Sequence, residues 1–277
     1  MLSSAQKLEI AAFAKQRSAD EALREVLPIC AAEGVRVLGA KGIVSSRVLY
    51  AKPEQRYFSD VDLRIAPSDV VRLSRKLGER FEILPVRQQG AFSLVAKGML
   101  VEFESTNGSP GLASVGIEEV LGRARCVDWY DAPLYVAELH DHVVSLIVNA
   151  FKDKLWHCPP WSLEDLMRAT SHQEFRESTL LQRIRGAGLS SVARVVAEFL
   201  ETRASSEPLH SAAWSAAQGW RKIADGLYSS RPMYEWAARE AFQDPEGVLA
   251  RVVMRFGNDA PANRLKALTS VASSFRS

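Results

Sequence analysis

The sequence is poor in the features that would place it outside the cell or in a membrane. It has three cysteines, Cys30, Cys126 and Cys158. They are odd in number, widely separated and form no CxxC pair, which excludes a disulfide framework and a zinc module. No basic-then-apolar leader opens the chain, and no apolar run approaches the roughly 18 residues that a membrane span needs. A soluble protein of the reducing cytoplasm is therefore expected. Charge of one sign is also scarce: the formal net charge is +2. Such a balance offers no bulk attraction for nucleic acid and leaves room only for a local basic patch. Internal repeats and low-complexity segments are absent as well.

What is present is ordinary globular material. The chain has 277 residues, 47% hydrophobic and 25% charged, enough for one large or two modest domains. Its first third alternates helix and strand patterns. Apolar spacing predicts helices over 3–17 and 19–33, the second capped by Ser18 and stopped by Gly34. A short strand is expected at 35–38, then the turn Gly39-Ala40-Lys41-Gly42 and a helix over 43–51. Residues 60–65 alternate strictly, with Asp60, Asp62 and Arg64 on one face and Val61, Leu63 and Ile65 on the other. Pro67 opens a further helix that ends before Gly78. Strands at 92–96 and 99–104 are joined by Lys97-Gly98, the length of a tight hairpin. The strongest loop signal is Asn107-Gly108-Ser109-Pro110-Gly111. Beyond about 137 strand signals vanish, and helices are expected over 137–155, 161–174, 179–204, 211–225, 232–243, 245–256 and 260–274. The boundary is placed at 136, dividing an α/β domain (1–136) from an all-helical domain (137–277).

Asp60 and Asp62 are the most informative pair. Two residues apart on a strand, they share a face with Cα atoms roughly 6.5–7 Å apart. Carboxylates so placed repel unless a cation neutralises them, and hard divalent ions with oxygen ligands suit the arrangement. Alone, Asp-x-Asp is better explained as a strand end with solvated acids. Two further features change the balance. A glycine turn at a helix N-terminus, here Lys41-Gly42, exposes backbone N–H groups and the positive end of the helix dipole to phosphate. Glu102 and Glu104 share a face of the 99–104 strand, and if that strand pairs beside 60–65 one of them completes a three-carboxylate cluster.

Lys41-Gly42, Tyr50, Arg56 and Asp60-Val61-Asp62-Leu63 follow the order and approximate spacing of a "KG…Y…R…DxDL" pattern. This arrangement resembles a poorly characterised nucleotidyltransferase family of the DNA polymerase β-like superfamily. Leu100-Val101-Glu102-Phe103 looks like that family's third acidic strand, and Lys152 with Leu163-Glu164-Asp165-Leu166 resembles its helical segment. The resemblance implies an α+β fold, a small mixed sheet flanked by helices, followed by an all-helical C-terminal domain. It also implies two Mg²⁺ ions and an NTP, with ATP the expected nucleotide. Asp60, Asp62 and Glu102 would be the catalytic and metal-binding residues; Lys41, Gly42, Arg56, Arg64, Lys152 and Asp165 would contact the nucleotide. The implied reaction moves a nucleoside monophosphate to a hydroxyl of a small molecule, peptide or protein and releases pyrophosphate. Two alternatives are an RNA-end-modifying, toxin-like enzyme, which the balanced charge disfavours, and a degenerate nucleotide-sensing or interaction module, which needs no such acidic cluster. Two positions depart from the pattern: Glu104 and Asn149 stand where histidines are expected.

Other candidates have plainer explanations. His140-Asp141-His142 invites a metal-dependent phosphohydrolase reading, but no histidine precedes position 140, so the upstream ligand is missing. A helix with partly exposed histidines is expected instead. Tyr50 is expected to pack on the first helix. Trp156 and Trp161 bracket a loop that either stacks a base or seals an interface, and Trp214, Trp220 and Trp236 are expected in the core.

Overall fold

The computed structural model describes residues 4–84, 90–106, 112, 115–153, 155, 160–206, 211–227, 231–244 and 248–264. They fall into two compact units. One comprises 1–106 with 116–138, the other 107–115 with 139–277.

The first unit opens with α1 (Ser4–Ala32), one continuous helix rather than two. Ser18 does not cap a second helix, because the buried stripe runs straight through it: Ala12, Gln16, Ala19, Leu23, Val26 and Cys30 repeat at alternating spacings of four and three, which is one helix face. Gly34 ends the helix as expected, at φ +66°. Next come β1 (Leu38–Ala40) and α2 (Lys41–Val48). The strand lies three residues later than its apolar content suggests, so the chain turns within one residue, Lys41, at φ +49°. After β2 (Asp60–Arg64) a 3₁₀ turn at Pro67–Asp69 leads into α3 (Val70–Gly78). Then follow β3 (Ile83–Leu84), β4 (Ala91–Ala96), β5 (Met99–Glu104), α4 (Ile117–Arg123), β6 (Arg125–Asp128) and β7 (Pro133–Val136).

The strands form one mixed sheet in the order β3-β4-β5-β2-β1-β7-β6. β2 runs parallel to β5 and antiparallel to β1, while β1 runs parallel to β7. On one side of β2 and β5, Val61, Leu63, Val101 and Phe103 are wholly buried in a core shared with Leu23, Val26 and Leu27 of α1 and Leu73 and Leu77 of α3. Phe103 stacks on Phe92 of β4 with ring centroids 4.6 Å apart. The polar residues of β2 and β5 therefore lie together on the other side.

The second unit is helical among its described residues: α5 (Leu139–Lys152), α6 (Pro160–Ala169), α7 (Glu177–Gly186), α8 (Ser190–Ser206), α9 (Ser211–Gly226), α10 (Pro232–Ala241) and α11 (Val248–Arg255). The helix expected over 179–204 breaks in two, because Gly188 adopts φ +64°, the left-handed conformation that ends helices. Trp220 is fully buried and its indole donates to the Leu166 carbonyl at 3.2 Å. Trp236, expected in the core, is 55% exposed on α10. Trp156, the loop 107–111 and most of 260–274 lie outside the described residues, as does the Trp214 side chain. No described helix is long and apolar enough to cross a membrane.

Candidate active site

Register places the acids. In the parallel β2–β5 pair, Asp62 lies opposite Glu102 and Arg64 opposite Glu104. On the other flank Asp62 pairs with Ala40, the last residue of β1. Ligand oxygens of Asp60, Asp62 and Glu102 lie within 4.8 Å of one another. Asp60 and Glu102 are half-buried and Asp62 is buried. Glu104, the alternative third acid, is set one register step away, beside Arg64.

The surroundings of this cluster oppose its charge. Burial pushes the Asp62 carboxyl up to about 6; Lys41 pulls it down, but Asp60 and Glu104 raise it further. The Lys41 ammonium donates to Asp62 Oδ1. Burial alone would lower the Lys41 pKa, yet Asp62 and Glu104 hold it above the usual ammonium value. Arg64 is buried too, and burial moves its guanidinium below the ordinary value against the attraction of Glu104 and Asp62. Asp60 accepts a hydrogen bond from the Ser59 hydroxyl at 3.1 Å.

An all-oxygen donor set this compact, with one carboxyl driven toward neutrality when no divalent ion is close, suits a hard cation such as Mg²⁺. The donors include no thiolate or imidazole that would favour zinc or another softer metal.

The approach to the acids is built by α2. Ala40 precedes it in extended backbone (φ −140°) and supplies no side-chain cap to the first N–H groups of the helix, which have no acceptor within the helix itself. Gly42 has a packing reason beyond the turn: a Cβ there would stand 2.6 Å from Phe58 Cβ. Glycine alone lets the helix start press against Phe58.

The remaining expected residues sit as follows. Arg56 is buried just before β2, its guanidinium donating to the Tyr57 carbonyl. Tyr50 is buried after α2. Lys152 ends α5 and Asp165 is fully buried on α6, both in the helical unit. His140, Asp141 and His142 are buried rather than partly exposed. His140 Nε2 accepts the Arg176 backbone N–H at 2.9 Å and Asp141 faces Arg183 at 3.5 Å. Both contacts lie within the helical unit.

Sequence reading missed two participants. Ser93 of β4 pairs with Glu102 and is buried on the same side of the sheet; only the register of β4 reveals it. Phe58 lies outside any regular element between α2 and β2, yet it fills the core beneath Gly42.

Two solved structures show a distant likeness to this chain. Antibiotic-resistance factor ANT(2'')-Ia, whose solution structure is described as showing substrate-regulated conformation dynamics, is 11% identical over 56% of this chain and 84% of its own, with a TM-score of 0.44. An antigenic nucleotidyltransferase-like protein from Paracoccidioides brasiliensis is 14% identical over 69% of this chain and 93% of its own, with a TM-score of 0.37. No curated protein matches the sequence significantly. The family described as uncharacterised nucleotidyltransferase matches residues 1–203, which include the whole acidic cluster and the turn before it. The chain therefore belongs to that uncharacterised nucleotidyltransferase family.

Proposed function

We propose that the protein transfers a nucleoside monophosphate, from ATP or another NTP, to a hydroxyl acceptor on a small molecule, peptide or protein. The observation that carries this reading is the convergence of Asp60, Asp62 and Glu102 within 4.8 Å beside the start of α2. Asp60 and Asp62 would hold two Mg²⁺ ions, with Glu102 a further ligand of the one nearer the acceptor. Bound Mg²⁺ would neutralise charge on the triphosphate and acidify the acceptor hydroxyl.

The chain's own groups account for the rest. The N-terminus of α2 and the Lys41 ammonium bind the β- and γ-phosphates, combining backbone donors, helix dipole and a point charge. Arg64, on the acid side of β2, and Arg56, just before it, supply positive charge near the phosphates. Glu102 receives the proton of the acceptor hydroxyl as its oxygen attacks the α-phosphorus. A bond forms between that oxygen and the α-phosphorus, the bond to the β-phosphate bridging oxygen breaks, and pyrophosphate leaves. A cytoplasmic location suits Cys30 and Cys126, both free thiols.

The test is thermal melting with Mg²⁺ and each NTP in turn. Mg²⁺ with the preferred NTP at about 100 times its dissociation constant is expected to add about 2.7 kcal/mol of stability to the wild type and to leave Asp62→Asn unchanged. A wild-type melting temperature indifferent to every Mg²⁺–NTP pair would sink the reading.

A further inference from the structure

Lys41 is caught between two partners. Ala40, its neighbour, is the register partner of Asp62, and the left-handed turn at Lys41 (φ +49°) carries the side chain back over that aspartate. The ammonium donates to Asp62 Oδ1, with the two side chains only 20% and 6% exposed. The reading above needs Asp62 to offer its oxygens to a divalent cation and Lys41 to offer its ammonium to phosphate. Neither can do so fully while each satisfies the other.

We propose that Lys41 is a placeholder cation, which neutralises Asp62 before the divalent ion arrives and swings to the triphosphate when it does. This rests on the function proposed above and adds a rule of assembly to it. Three carboxylates within 4.8 Å repel strongly in a half-buried site, and one ammonium relieves part of that repulsion. Metal and triphosphate must both break the same Lys41–Asp62 pair. Whichever binds first bears that cost and the second is spared it, which makes the two cooperative. Arg64 is unsuited to the part, because it is buried and set opposite Glu104 by the register. Lys41 has a flexible four-carbon stem on a side chain that is 20% exposed, and it can move.

Two variants isolate the charge: Lys41→Gly and Lys41→Asn, both of which tolerate left-handed backbone. Mn²⁺ binding is followed by loss of the free-ion electron paramagnetic resonance signal, and nucleotide binding with α,β-methylene-ATP, which resists transfer. Both variants are expected to bind Mn²⁺ alone about tenfold more tightly than wild type, and α,β-methylene-ATP at saturating Mn²⁺ about tenfold more weakly. Wild-type protein gives an independent reading through amine labelling with trinitrobenzenesulfonate and mass spectrometry. Labelling of Lys41 should rise with Mg²⁺ alone and fall when α,β-methylene-ATP is added. Mn²⁺ bound no more tightly by the variants, or Lys41 labelling unmoved by Mg²⁺ in a protein that binds it, overturns the placeholder and leaves the metal reading standing. Mn²⁺ bound by none of the three proteins overturns both.

Discussion

Burial pushes the Asp62 carboxyl from an ordinary 3.8 up to about 6 even with Lys41 beside it. The folded protein thus holds that proton more tightly than the unfolded chain does. The resulting stability is complete below about pH 4 and is lost as pH rises through about 6, on the order of 3 kcal/mol in all. The metal-free melting temperature is expected to fall over that window. Asp62→Asn should flatten the fall and, at pH 7 without metal, melt above the wild type while losing transfer activity. A melting profile identical in the two proteins across pH 4–7 would contradict this account of the site. Gly42 acts through space rather than charge. Gly42→Ala forces a Cβ to within 2.6 Å of Phe58 Cβ and should cost about 1–3 kcal/mol by chemical denaturation, with Phe58 displaced from the core. The acid pair was legible in the sequence because alternation exposes a shared face. The crowding at Gly42 was not, because Phe58 sits 16 residues away in a segment that reads as loop.

At the scale of elements, register sets which glutamate lies in the acidic cluster. β2 and β5 align Asp62 with Glu102 and Arg64 with Glu104, so the two glutamates should separate by assay. Glu102→Gln is expected to abolish stabilisation by Mg²⁺–NTP. Glu104→Gln should retain it but cost about 1–3 kcal/mol of stability, since buried Arg64 keeps its charge and loses the attraction of that carboxylate. Equal loss of Mg²⁺–NTP binding in both variants would contradict the assignment. β2 and β5 could be read directly, and so could β4, the hairpin partner of β5: Lys97 and Gly98 both take positive φ, 51° and 70°, as a two-residue turn of that hand requires. The β6–β7 hairpin could not. β6 is largely exposed, so no apolar alternation marks it, and its turn uses Tyr130 and Asp131 at φ 53° and 66°, without the glycine that usually signals such a turn. Arg47 over the Trp129 ring at 4.1 Å and Arg24 over the Tyr130 ring at 3.9 Å tie this hairpin to α2 and α1. Those contacts are long-range and leave no local pattern.

Across the whole molecule, the last described strand ends at Val136 and the described elements after it are helices, a change of hydrophobic period that is visible in the sequence. The interior of the helical unit was less legible. His140, Asp141 and His142 occupy consecutive helix positions, of which a simple amphipathic pattern would expose at least one, yet all three are buried. A net charge of +2 spread over 277 residues gives no long-range pull on a phosphodiester chain. Labelled single-stranded RNA is therefore expected not to be retained at physiological salt under conditions where Mg²⁺–NTP binds. The central claim, nucleotidyl transfer at Asp60, Asp62 and Glu102, is tested most directly by following two labels from one nucleotide. The protein is incubated with Mg²⁺, a cell extract and ATP, or another NTP that stabilises it, labelled at either the α- or the γ-phosphorus. The account predicts α-label on an acceptor, γ-label in pyrophosphate, and neither product with Asp62→Asn. Transfer of the γ-label to the acceptor, or α-label transfer that survives Asp62→Asn, would contradict it.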